Sequence, residues 1–465
     1  MNAPLIWIVF PAALALLLML TQNKRLLSLS GGVTAAFLAI AAQFVPLEEA
    51  FRVGSLSIRI ESSLNILGRQ LIIQPSEGPL LALLYGATAL WFFGAEASQS
   101  ASKFVPLGFL ITSLMIASIA VEPFLYAALF IEMVVLLSVP LVTSLYQPPG
   151  KGIIRFLIYQ TLAMPFILLS GWLLAGVESS PGNLSLAAQS AAVLGLGFAF
   201  LLSIFPLYHW MPMLMEEAPP FAAGFLLWIL PTVTLIFGAG FIDRYSWLRT
   251  SPELIVVLRY SGLIMLVTGG VWAAFQNHLG RIMAYGVVAE TGFALLALSL
   301  DLRLGIPILF LLFPARALGL ALWSLALTVL KPHADSLRYS QVRGALRQFP
   351  LAVTGIVLAS LSVSGLPLLA GFPPRLALWD SLARVAPDAA LWMGVGVVGL
   401  FTASFRMLAV MSMAEEYSGW ELGENWLQGI MLGLGATGLF ILGIFPQTVQ
   451  YFLAALPSMF EHLGR

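Results

Sequence analysis

Apolar segments of about 18–25 residues recur from end to end of this chain, each long enough to cross a hydrocarbon layer as a helix. They cover 4–21, 29–46, 78–95, 104–121, 123–145, 153–176, 185–206, 218–240, 254–275, 281–300, 304–330, 349–371, 387–413 and 425–455. This pattern predicts an all-α polytopic protein of about 14 helices joined by short polar connections. Residues 51–75 read differently. Leu56, Ile58 and Ile60 alternate with polar positions, and a second short apolar run covers Leu71 to Ile73. Period-two alternation predicts an extramembrane β-hairpin there. Residues 4–21 lack a charged leader and a small-residue cleavage site, so they read as a retained span.

Two of the apolar runs are interrupted. In GFAFLLSIFPLYHWMPMLMEEAPPFAAGF, residues 197–225, the run halts at Pro206 and passes His209, Trp210 and Pro212. It meets Glu216 and Glu217, then resumes after Pro219. In LSVSGLPLLAGFPPRLALWDSLARV, residues 361–385, Gly365, Pro367, Gly371, Pro373 and Pro374 cannot share one continuous helix. Backbone opened inside a membrane is tolerated only where protein or water meets its freed groups, so such breaks mark transport pathways. A break in each half of the chain points to an internal repeat with the pathway between its copies; a merely kinked bundle is the alternative.

Composition sharpens this picture. The chain is 60% hydrophobic and 9% charged, with a mean hydropathy of +0.95, far from the quarter charged of soluble domains. Zero net charge gives no nucleic-acid footprint. The lack of cysteine excludes Fe–S clusters, disulfides and thiol catalysis within the chain. The four histidines, at 209, 278, 333 and 462, do not pair at metal-ligand spacing, and no phosphate-binding glycine motif or nucleophile elbow occurs. No metal, cofactor or catalytic residue is therefore expected here. The frequent Trp and Phe read as lipid contact and interface anchoring. Basic residues favour an N-terminus on the outer side. Inner connections then receive Lys24, Arg25, Lys103, Lys151, Arg281, Lys331, Arg338 and Arg343, and outer ones Arg52, Arg59, Arg69, Arg244 and Arg249. The polar stretch 331–348 becomes a cytoplasmic connection.

Five motifs occur in order: FLYAALFIEMVVLLSVPL with Glu132, GIIRFLIYQ with Arg155, GFAFLLSIFPLYHWMP followed by EEAPP, QNHLGRIMAYGVVAETGF with Glu290, and SGLPLLAGFPPR with Arg375. Over about 100–420 the chain resembles the antiporter-like membrane subunits of respiratory complex I and of Mrp-type cation/proton antiporters. The resemblance implies about 14 transmembrane helices with two inverted five-helix repeats, each containing a broken helix. It divides the chain into N-terminal helices with the hairpin (1–100), an antiporter-like domain (101–420) and a C-terminal helix (421–465). It also implies a multi-pass protein of the cell inner membrane, with other membrane subunits as partners. Fe–S clusters, flavin and quinone would then be on partner chains, with protons, or Na⁺, as the transported ion. There are departures. Leu201 stands at the family's central lysine in the seventh helix, and Pro231-Thr232 at that of the eighth. Glu290 stands at a histidine position, Arg316 near another usual lysine, and Arg375 where lysine or glutamate is usual.

Proton relays need groups that gain and lose a proton, which arginine does not do. Arg155, Arg316 and Arg375 can only fix carboxylates and set the local potential. The titratable set near mid-depth is Glu132 and Glu290, with Glu122, Glu216, Glu217, Asp380 and His209 nearer the interfaces. Arg155 is the expected partner of Glu132 within the chain, and Arg316 that of Glu290. Arg375, Asp380 and Arg384 read as a triad lining an outer exit, Glu122 as a helix cap, and His209 as an interfacial residue. Three functions remain open: a proton-translocating membrane-arm subunit of a complex I-like assembly, an Mrp-type Na⁺/H⁺ antiporter subunit, and a degenerate, non-conducting structural subunit. The absence of a substrate-sized polar cluster argues against a solitary organic-solute transporter.

Overall fold

The computed structural model describes residues 2–53, 56–66, 68–143, 148–179, 184–413 and 422–463. The expected end of the fifth span at 144–145 and the expected boundary at 420–421 lie outside these residues. The first half of the helices comprises α1 (Phe10–Leu18), α2 (Lys24–Phe44), α3 (Gly78–Gly94), α4 (Ala101–Ala120), α5 (Ala127–Val142), α6 (Lys151–Ser179), α7 (Leu184–Leu201), α8 (Trp210–Glu217) and α9 (Pro220–Arg244). The second half comprises α10 (Ser246–Arg249), α11 (Pro252–Phe275), α12 (Leu279–Leu298), α13 (Leu302–Leu330), α14 (Pro350–Ser364), α15 (Phe372–Val385), α16 (Pro387–Ser412), α17 (Trp426–Ile444) and α18 (Gln447–Leu453). Ten helices among the described residues are long and apolar enough to cross a membrane.

Burial sorts these helices. α9 and α12 are almost wholly buried, whereas α17 is mostly half-buried or exposed, with only Leu432 and Leu439 buried, as expected of core helices and a lipid-facing one. α11 and α16 meet through glycines: a Cβ on Gly270 would stand 2.0 Å from the Gly396 carbonyl. The aromatic residues do not all face lipid as expected. Trp7, Trp91, Trp210, Trp228 and Trp323 are fully buried, and Trp91 packs with Phe104, Phe221 and Phe225. Without a hydrophobic drive between helices in lipid, such close packing is what holds them together.

The two ends of the bundle differ. At one end lie two hairpins rather than the single one expected. β1 (Ala50–Val53) pairs antiparallel with β2 (Leu56–Arg59), and β3 (Ser63–Ile66) with β4 (Arg69–Ile72). β5 (Val121–Glu122) joins β4, so Glu122 sits in a strand and not at the helix start expected of it. The N-terminus lies here too, through Ala3 N–H donating to the Glu61 carbonyl. The Asp243 carboxylate accepts from the amides of Glu461, His462 and Leu463 at 2.7–2.9 Å. At the opposite end the segment 331–348 forms a strap. It bridges backbone to backbone with the turn before α12, through Leu279 N–H to Leu337 O and Tyr339 N–H to Asn277 O.

Candidate functional site

Both interruptions are real breaks. α7 ends at Leu201, and Ser203 turns the chain with φ +52°. Pro206 precedes a short 3-10 turn through His209, and α8 then runs from Trp210 with Pro212 in its first turn. Trp210 Nε1 donates to Ser203 Oγ at 2.8 Å, pinning the turn. The last carbonyls of α7 have no helical partner, and Gln160 of α6 donates to those of Phe200 and Leu201 at 3.4 and 3.3 Å. Leu201 itself is buried. Pro219 starts α9. The second break is capped by Gly365 at φ +86°, a conformation that favours glycine. Pro367 is exposed in the turn, Gly371 is the N-cap of α15, and Pro373 lies in its first turn. The Gly371 N–H donates to Ser362 Oγ at 3.1 Å.

Between α12, α13 and α15 lies a fully buried charge cluster. Arg375 Nη2 donates to Glu290 Oε1 at 2.7 Å, and Arg316 Nε stands 3.7 Å from Glu290 Oε2. Arg375 also donates to the Gly371 carbonyl at 2.8 Å and lies over the Phe293 ring. Arg316 donates to the Leu227 carbonyl at 3.1 Å and to Thr291 at 3.4 Å. One carboxylate thus faces two guanidiniums, one of them from the second break. In a low-dielectric interior these charges are tolerable only because they are paired.

Glu132 is placed differently. Its Oε1 accepts from Thr161 of α6 at 3.0 Å, and its Oε2 is buried without a hydrogen-bond partner among the described residues. Polar cavities lie at the two ends of the protein. One of about 490 Å³ beside the strap is lined by Glu216, His278, Lys331 and Arg338. One of about 200 Å³ beside the hairpins is lined by Gln74, Glu77, Glu122, Asp243 and Arg244. Burial pushes Glu77 up to about 7, against the Gln74 N–H and helped by nearby Glu122. Burial pushes His278 down to about 4, against the pull of Glu216. A neutral His278 ring fits its position, where Nδ1 accepts from Arg281 N–H and caps α12.

A family profile described as "NADH:quinone oxidoreductase/Mrp antiporter, TM" matches residues 124–402. The chain belongs to this family. Among its relatives, NADH-quinone oxidoreductase subunit 14 of Thermus thermophilus is 28% identical over 69% of this chain and 73% of its own length. NADH-quinone oxidoreductase subunit N 2 of Acidobacterium capsulatum is 25% identical over 65% and 66%. The chain thus spans about two thirds of the length of these relatives. Solved structures share the fold. A chain of the membrane-bound sulfane sulfur reductase, an archaeal respiratory membrane complex, matches with TM-score 0.82 at 17% identity, over 99% of this chain and 96% of that one. A chain of Thermus thermophilus respiratory complex I with bound NADH gives 0.77 at 19%, over 100% and 99%. A chain of the Mrp complex of a Dietzia species gives 0.80 at 14%, over 99% and 97%.

Within this antiporter-type subunit, the expected residues divide. Glu290 and Arg316 meet as expected, but Arg375 is the nearer partner, 85 positions away in sequence. Arg155 does not pair with Glu132. It is exposed and donates to Met213 Sδ at 3.0 Å. Six positions separate it from Thr161, about 240° around the helix, so only one of the two faces α5. The Arg375–Asp380–Arg384 triad is likewise split. Asp380 and Arg384 pair at 2.9 Å on the exposed face, while Arg375 points into the core. His209 is exposed and stacked on Tyr208, in keeping with an interfacial residue. Glu216 and Glu217 form the end of α8. Sequence reasoning missed Glu77 and His278. The Pro75 turn before α3 and the helix start after Asn277 were the available signals.

Proposed function

We propose that this chain is a membrane-arm subunit of a complex I-like assembly, of the NADH- or ferredoxin:quinone oxidoreductase type, taking part in proton translocation coupled to remote electron transfer. The observation that carries this reading is the placement of Glu132 half-buried on the apolar helix α5, with one oxygen on Thr161 and the other buried without a hydrogen-bond partner among the described residues. Such a carboxyl group takes up and releases a proton without first breaking an ion pair. An intramembrane carboxylate is costly and rare, and where one occurs it marks an ion or proton pathway. Arg316 and Arg375 carry no proton themselves; they fix Glu290 and set the potential in the second half. The relatives named as NADH-quinone oxidoreductase subunits support the redox-linked form of this reading.

The finer architecture belongs to the same proposal. It has fourteen membrane helices, counting α7–α8 and α14–α15 as broken ones, with two inverted five-helix repeats inside 101–420. Residues 1–100 and 421–465 flank that domain. The N-terminus and hairpins face the outer side of the cell inner membrane, because Lys331, Arg281 and Arg338 gather at the opposite end. Fe–S clusters, flavin and quinone are carried by partner subunits.

One observation favours a second reading, a non-conducting spacer: buried Leu201 fills the first break, and Glu290 is tied to two arginines. Glu132→Gln and Glu290→Gln in the intact assembly separate the two. Loss of proton movement with electron transfer retained supports conduction; normal pumping in both variants leaves the spacer. Leu201→Lys then gives no gain. Na⁺-dependent proton movement without a redox substrate would instead indicate an Mrp-type antiporter.

A further inference from the structure

The two adjacent carboxylates that end α8 grip different helices. Glu217 Oε2 accepts from the free amides of Gly152 and Ile153 at the start of α6, at 2.8 and 3.3 Å. Glu216 accepts from Arg281 Nε in the first turn of α12 at 2.7 Å and pairs with Arg338 of the strap at 3.5 Å. Each grip is backed by a glycine at close approach. A Cβ on Gly152 would stand 2.5 Å from the Leu214 nitrogen, and one on Gly280 2.5 Å from the Met215 carbonyl. Lys331 Nζ adds a bond to the Ala218 carbonyl at 2.9 Å.

What lies further along the gripped helices gives this its meaning. α6 carries Thr161, the partner of Glu132, and α12 carries Glu290, the partner of Arg375 in the second break. Both helices are continuous between grip and carboxylate site. A rigid helix passes displacement at one end to the other. We propose that α8 is a bracket coupling the two carboxylate sites, with Glu216 and Glu217 as positioning residues. A shift of the first break moves Thr161 through α6 and Glu290 through α12 together. This inference rests on the proton-translocation reading above.

The test uses the intact assembly in sealed membrane vesicles and reads electron transfer and protons moved per electron pair. Glu216→Gln and Glu217→Gln are made separately, with Glu132→Gln alongside. Both bracket variants are expected to assemble and transfer electrons, with protons per electron pair falling about fivefold or more. A merely structural role would lower both readouts together. If Glu132→Gln abolishes proton movement while both bracket variants leave the ratio unchanged, the bracket is overturned and the reading of the subunit stands. If Glu132→Gln has no effect, that reading fails and the bracket with it. Should Glu216→Gln not assemble, the exchange Glu216→Arg with Arg281→Glu replaces it. A ratio restored by the exchange supports the bracket, and assembly without a restored ratio overturns it.

Discussion

Replacing Glu290 by Gln probes the buried cluster with almost no change of shape. The ion pairs of Arg316 and Arg375 both end on Glu290. The substitution therefore raises the buried charge of the cluster from one positive unit to two. Unit charges 4 Å apart at an effective dielectric near 20 attract by about 4 kcal/mol, and breaking a buried pair by removing one partner costs about 3–5 kcal/mol. Gln retains an acceptor for Arg375, so the expected loss is about 3–4 kcal/mol of stability, toward the lower end of that range. Arg316→Met added to Glu290→Gln removes one unpaired charge but forfeits the bonds to Leu227 and Thr291. The double variant should regain about 1–2 kcal/mol. Reversible unfolding in mixed micelles, titrated with denaturing detergent and followed by tryptophan fluorescence, gives both numbers. A loss below about 1 kcal/mol for Glu290→Gln, or a double variant weaker than the single one, would refute the reasoning.

Other expectations follow from single contacts. Glu217→Ala leaves the first amides of α6 without their acceptor; a loss of about 1–2 kcal/mol and faster hydrogen exchange at Gly152 and Ile153 are expected. His278 titrates near 4 in the fold against 6.5 ordinarily, so the unfolded chain binds the proton first. Its stability contribution is complete above pH 6.5 and fades by roughly 2–3 kcal/mol as pH falls toward 4. Thermal midpoints across that range should lose this slope in His278→Asn. Gly270→Val pushes a side chain into the Gly396 carbonyl and should prevent α11 and α16 from docking, read as loss of folded protein in membranes.

The helices were legible because each apolar run must satisfy its backbone internally in lipid. The breaks were legible because Pro and Gly leave few other options. Helix ends were less so: α7 stops at Leu201, five residues short of the expected end, because the chain turns at Ser203 well before Pro206. Partners were hardest. Arg316 could be matched with Glu290 from neighbouring helices, but Arg375 reaches Glu290 only through the return of the second break across the bundle. Arg155 is the natural counter-charge for Glu132 by sequence, yet helix rotation gives that face to Thr161. Charge type can be read from a sequence; the face on which it lands depends on packing between helices.

The most direct measurement is infrared difference spectroscopy of the intact assembly between its resting and turning-over states. A protonated-carboxyl band that changes on turnover and disappears in Glu132→Gln is the expected result. The same band surviving in Glu132→Gln, or no such band in the unsubstituted protein, would contradict a proton-carrying Glu132.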